Sequence, residues 1–331
     1  MRSAHHGPTA RHEIAGRLHD HEQTAGEGEE DEDETLETSD DRMFEALRGE
    51  ARTPGTEVAD WGAASGQGSV RQRNEDAWGQ LAEQVFVVAD GMGGYEGGDL
   101  AAQTAVRAVL ASIGTRGVPD WNAAVVRLNQ QVRIAARARG FDRAGTAIAL
   151  VSLVNGVLTV VNVGDVRVYR LRHGRLVQLT RDHTIRAELL ATGADLRPYV
   201  HRRGILDALT RHLGSADETG VPDVTSLVPT AADRLLILTD GVHQQVTAPE
   251  MAAAAEMSSC DDAARTLVEL ADTAGGLDNA TAVVISLQAA NPHPTIPGST
   301  HQAPHVAAEH RGRAAEHGGR AAEHRGRKER F

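Results

Sequence analysis

Three aspartates in this chain stand where an apolar run meets a turn. Residues 84–90 read Gln-Val-Phe-Val-Val-Ala-Asp and continue into Gly91-Met92-Gly93-Gly94. The run over 234–239 stops at Asp240-Gly241, and the run over 281–287 is entered through Asp278-Asn279. Asp-Gly is a common turn dipeptide, so either pair alone reads as punctuation. The combination says more. Carboxylates held at the ends of buried strands can converge on a hard cation, and magnesium and manganese take oxygen ligands. The glycine after Asp90 lets a backbone carbonyl come close to such an ion.

Upstream, residues 68–76 read Gly-Ser-Val-Arg-Gln-Arg-Asn-Glu-Asp. If extended, the segment puts Arg71, Arg73 and Glu75 on one face and Asn74 and Asp76 on the other. An arginine fork is planar, always charged and suited to phosphate. Alone, the segment equally fits a solvated edge strand. Two further groups, Asp142-Arg143-Ala144-Gly145-Thr146 and Asn162-Val163-Gly164-Asp165-Val166-Arg167, read as turns, with Asp165 and Arg167 expected to hold a loop rather than act on substrate.

The elements that must position these residues can be read from periodicity. Short apolar runs over 84–90, 146–154, 157–163, 166–171, 234–239 and 281–287 predict strands buried on both faces. Asn155-Gly156 and His173-Gly174 are hairpin signals. Apolar residues at three- and four-residue spacing predict helices over 98–113, 121–139, 249–257 and 261–274, the last started by Asp261 or Asp262 and stopped by Gly275-Gly276. Consecutive hairpins and paired helices favour an α+β fold with antiparallel sheets covered by helices over a doubly wound one.

Charge is unevenly placed. The 331 residues carry 34 basic and 46 acidic side chains, a net of −12. Residues 1–56 hold 6 and 15 of these, including ten carboxylates and no base over 27–41, and are expected to be an acidic disordered segment. Residues 57–287 form the expected catalytic domain. Residues 288–331 are a proline-led, low-complexity tail, also expected to be disordered, with AAEHRGR, AAEHGGR and AAEHRGR in succession over 307–327. The acidic total argues against a nucleic-acid partner. The lone Cys260 excludes a disulfide framework, and no apolar run is long enough for a membrane span. A cytoplasmic location is the expectation.

The order Val-Arg-x-x-Asn-Glu-Asp, Ala-Asp-Gly-Met-Gly-Gly, Asp-Arg-x-Gly-Thr, Val-Gly-Asp-x-Arg, Thr-Asp-Gly and Asp-Asn-Ala-Thr resembles the bacterial branch of the metal-dependent type 2C serine/threonine protein phosphatases. The likeness covers about residues 57–287. It implies a central β-sandwich of two antiparallel sheets flanked by helices, an α-β-β-α layering. It also implies two Mn²⁺ or Mg²⁺ ions sharing a hydroxide that attacks phosphorus in line. By position, Asp90 bridges the ions, Asp240 and Asp278 complete one of them, the Gly91 carbonyl ligates the other, and Glu75 holds its waters. Asp142, with Asp240, corresponds to the ligand of a third, weaker metal, Arg71 to the phosphate clamp, and Asn279 to a residue supporting a ligand. The implied partners are phosphorylated proteins made by serine/threonine kinases, and the implied state is a monomer.

The chain departs from the wider family at Met92, where eukaryotic members carry a histidine proposed as general acid. Val166, Ala147 and Thr239 also differ from common family residues without touching the ligand set. The segment over 182–222 corresponds to a variable flap that influences substrate choice. Two other readings remain: a catalytically weak binding module on the same fold, and a phosphatase of an anti-sigma-factor antagonist.

Overall fold

The computed structural model describes residues 55–92, 97–113, 119–199, 201, 203–215 and 220–290, with backbone alone for 203 and 305–307. The acidic segment up to residue 54, Gly93-Gly94 and nearly all of the repeat tail lie outside the described residues. So do the Arg202 and Arg203 side chains.

Two antiparallel sheets form the centre. One has five strands in the order β1 (Thr56–Gly66), β10 (Ala280–Ala289), β9 (Arg234–Leu238), β6 (Arg167–Arg172) and β7 (Arg175–Gln178). The other has six, in the order β11 (His305–Ala307), β2 (Ala77–Leu81), β3 (Val85–Gly91), β4 (Thr146–Val154), β5 (Val157–Val163) and β8 (Asp223–Leu227). Every pairing is antiparallel. Helices α1 (Gly98–Ser112) and α2 (Trp121–Arg137) cover the six-stranded sheet. α6 (Ala248–Ala255) and α7 (Cys260–Thr273) cover the five-stranded one. Between β7 and β8 run α3 (Ile185–Ala191), a 3₁₀ turn (Arg197–Tyr199) and α4 (Arg203–Leu206), and α5 (Asp240–His243) follows β9 directly.

The core therefore lies in three slabs. Val85, Val87, Ile148 and Leu150 face α1 and α2. Phe86, Val88, Val151, Ile237 and Ile285 fill the space between the sheets, joined by Trp61 and Trp78. Leu236, Leu238 and Val284 face α6 and α7. This is why β3, β4, β9 and β10 read as unbroken apolar runs, since both faces of each are buried. The α-β-β-α expectation is met.

Both expected hairpin turns are present, with Asn155-Gly156 and His173-Gly174 at positive φ. Some expectations need correction. The segment over 69–76 is a series of bends, with Glu75 N and Arg73 O bonded to the Asn279 side chain instead of to the backbone of a strand. The last helix begins one residue earlier than read: Ser259 is its cap, accepting from Asp262 N, and both aspartates sit in the first turn. There they complement the helix dipole. Among the described residues no helix is long and apolar enough to cross a membrane.

Candidate metal and phosphate site

β3 ends at Asp90-Gly91, β9 hands over at Thr239 to Asp240, and β10 begins immediately after Asp278-Asn279. β3 belongs to one sheet, β9 and β10 to the other, so the aspartates meet at one end of the seam between the sheets. Arg71, Glu75, Asp90, Gly91, Met92, Asp165, Asp240, Asp278 and Asn279 line one open cleft of about 350 Å³. The flap contributes Gly204, Asp207, Ala208 and Leu209 to the same cleft.

The Asp-Gly pairs are required by crowding as well as by turning. A Cβ on Gly91 would lie 2.5 Å from Gly98 O and 2.6 Å from Glu75 O, and one on Gly241 would collide with Asn279 O. Backbone thus packs against backbone at the metal end of the sandwich. Thr146 Oγ1 donates to Asp90 O at 2.7 Å, and Met92 N donates to Gly145 O at 3.0 Å, which fixes the exit of β3.

Asn279 holds the loop that carries the arginine. Its Oδ1 accepts from Glu75 N at 2.9 Å, and its Nδ2 donates to Gln67 O and Arg73 O, both at 2.8 Å. Arg71 Nη2 then reaches Asp278 Oδ2 at 2.6 Å, with its side chain 39% exposed.

Several of the cleft carboxyls are raised. Asp90 is raised well above the usual range by burial and by Asp76, Asp240, Asp165 and Asp278. Asp240 is raised to about 6 by burial and Asp278, and Glu75 is raised by burial and Asp99. Such crowding of like charge around a single guanidinium calls for a cation.

Two neighbours of this cluster were not picked out by sequence reasoning. Asp76 is buried and accepts from Thr239 Oγ1 at 3.0 Å and Thr281 Oγ1 at 2.6 Å, while its Oδ1 has no partner; burial lifts its carboxyl to about 7. A signal was available, since each of those threonines lies within three residues of Asp240 or Asp278. Asp165 was expected only to hold a loop. It lines the cleft instead, and burial and Asp240 raise it to about 8. Arg167 does hold a loop, gripping Asp182 through Nε and Nη2. Asp142 goes the other way. It is exposed in the turn after α2 and is not among the residues that line the cleft. α2 ends just before it, with Phe141 N bonded back to Ala136 O.

The donor set fits hard divalent ions: carboxylates from three strand ends, a backbone carbonyl at Gly91, and Glu75 alongside. Among the described residues, no three acidic, histidine or cysteine side chains already stand as a closed metal shell. Arg71 occupies one edge of Asp278, and the site is an open cleft rather than a preformed cage.

The family model for protein phosphatase 2C matches residues 66–273. The chain belongs to the protein phosphatase 2C family. By family it is a serine/threonine protein phosphatase. It is 29% identical over 234 residues to the serine/threonine phosphatase stp of Listeria welshimeri, across 66% of this chain and 92% of that one. It is 30% identical over 239 residues to the serine/threonine protein phosphatase PstP of Mycobacterium tuberculosis, across 69% of this chain and 45% of that one. The crystal structure of the catalytic domain of PstP with two manganese ions superposes with a TM-score of 0.61 at 29% identity, across 70% of this chain and 99% of that one.

Proposed function

We propose that this phosphatase hydrolyses phosphoserine and phosphothreonine in proteins, with two divalent ions, Mn²⁺ or Mg²⁺, in the cleft between Asp90 and Asp278, and so opposes serine/threonine kinases. One observation carries this reading. Asp90 and Gly91 from one sheet, and Asp240 and Asp278 from the other, line the same cleft as Arg71. The two manganese ions of PstP support the metal assignment.

Asp90, Asp240, Asp278 and the Gly91 carbonyl would hold the ions, with Glu75 beside them. Bound there, the ions supply Lewis-acid polarisation of the phosphate and a water acidic enough to attack near neutral pH. Arg71 spends one N–H on Asp278 and keeps further donors for phosphate oxygens. Asn279 sets the height of Arg71 through the loop over 67–75. Met92 has no proton to give, so the leaving alkoxide takes its proton from water in the cleft or from another residue. The flap residues Gly204, Asp207, Ala208 and Leu209 form one wall of the cleft.

The test is hydrolysis of a phosphothreonine peptide. Turnover should require Mn²⁺, vanish with chelator, and fall by roughly 100-fold or more in Asp240→Ala. Arg71→Ala should mainly raise KM, by about tenfold. A metal-loaded protein that binds the peptide without turning it over would establish the binding-module reading instead.

A further inference from the structure

Two buried histidines outside the ligand set grip the turn that carries Asp165. His183 is 1% exposed and lies at the base of the flap. Its backbone N–H donates to Gly164 O at 2.9 Å, and its ring Nδ1 receives the Gly164 N–H at 3.1 Å. Asn162 Nδ2 gives Gly164 O another donor at 3.2 Å. A backbone N–H only donates, so Nδ1 must carry a lone pair and the ring hydrogen sits on Nε2. That hydrogen faces Asp223 Oδ2 at 3.1 Å. Arg211 Nη1, 3.2 Å from the same ring nitrogen, donates to Asp223 Oδ1 at 2.8 Å.

His243 closes the turn from the other side. It is 8% exposed, and its Nε2 lies 3.0 Å from Asp165 O. A carbonyl only accepts, so here Nε2–H donates. His243 is the last residue of α5, whose first residue is Asp240. The peptide before Asp165 is therefore held from the flap, and the peptide after it from the helical turn that presents Asp240. The turn has no slack, because Gly164 has φ +107° and a Cβ there would collide with Ala147 Cβ.

We propose that His183 and His243 are positioning residues that fix the Asp165 carboxylate beside Asp240, His183 through the lone pair on Nδ1 and His243 through the proton on Nε2. The proposal deepens the phosphatase reading and rests on it for its effect on turnover.

The chemistry of the two bonds sets the test. An asparagine amide oxygen can take the place of imidazole Nδ1, and a glutamine amide nitrogen that of Nε2. His183→Asn and His243→Gln should keep kcat for p-nitrophenyl phosphate with Mn²⁺ within about twofold. His183→Gln and His243→Asn should lower it roughly tenfold with KM changed less than about twofold. In an Asp165→Ala background the same exchanges should cost nothing more. The Gly164 amide proton gives a readout independent of turnover: it should exchange slowly in wild type and His183→Asn, and about tenfold faster in His183→Gln.

Equal losses in the Asn and Gln variants at both positions, or losses that add fully to Asp165→Ala, would overturn the proposal. If the wild type turns over no phosphate ester, the phosphatase reading falls. An unprotected Gly164 amide in wild type would then still sink the clamp. Should both variants of one histidine unfold, the pair at the other decides.

Discussion

Asp233 and Asp90 are the same residue type in opposite electrical surroundings. Burial raises both carboxyls, but at Asp233 the Arg172 guanidinium at 2.5 and 2.7 Å and Thr230 N at 2.9 Å outweigh it and leave the group below its ordinary range. A depressed native pKa stabilises the fold above the unfolded value and loses that contribution as pH falls through the native one. Asp233→Asn should therefore lower stability by roughly 2 kcal/mol at pH 7, and by progressively less as denaturant midpoints are measured from pH 4 downward. A deficit that is the same at pH 7 and pH 3 would refute this. The cleft aspartates Asp90, Asp240 and Asp278 were legible because each abuts an apolar run and two precede a glycine. Asp76, Asp165, His183 and His243 were not, because their roles depend on partners distant in sequence, such as Thr281 for Asp76 and Gly164 for His183.

At the scale of elements, a turn is readable when its residues suit its backbone. Asn155-Gly156 announces the β4–β5 hairpin. The β2–β3 hairpin turns through Ala82-Glu83, both at positive φ, and neither residue signals it. Left-handed backbone costs an ordinary residue about 1–2 kcal/mol, offset here in part by Glu83 N donating to Gln80 Oε1 at 3.1 Å. Replacing the pair by Asn-Gly should stabilise the protein by about 1 kcal/mol, read as a higher thermal midpoint with unchanged turnover. An unchanged or lower midpoint would mean that the turn is relaxed as it stands. β1 was hidden for another reason. α7 crosses it so closely that a Cβ on Gly62 would collide with Asp261 N, and Asp60 Oδ2 accepts from Cys260 N at 2.9 Å. Close packing there demands glycine and a helix-capping carboxylate, which erase the apolar alternation by which strands are recognised. The short β8 and α3 carry too few buried residues to show a period.

Across the whole molecule, the formal −12 hides a division of labour. Most of the excess acid lies in residues 1–56, while the cleft is built from β3, β9, β10 and the loops beside them. Removing residues 1–42 should accordingly leave peptide turnover within about twofold of the full chain, since the residues that line the cleft all lie outside that segment. A tenfold loss would place the acidic segment in the reaction. In the tail, residues 305–307 pair with β2 and extend the six-stranded sheet by one short strand. The position of the cleft has a mechanical consequence as well. Its carboxylates come from both sheets, and apolar side chains such as Phe86, Val88, Ile237 and Ile285 fill most of the seam behind them. An ion held by Asp90 on one side and Asp240 and Asp278 on the other would act as a rivet through the two layers. Loading the cleft would then raise the force needed to shear the sheets apart, and the resting protein would be the softer of the two forms.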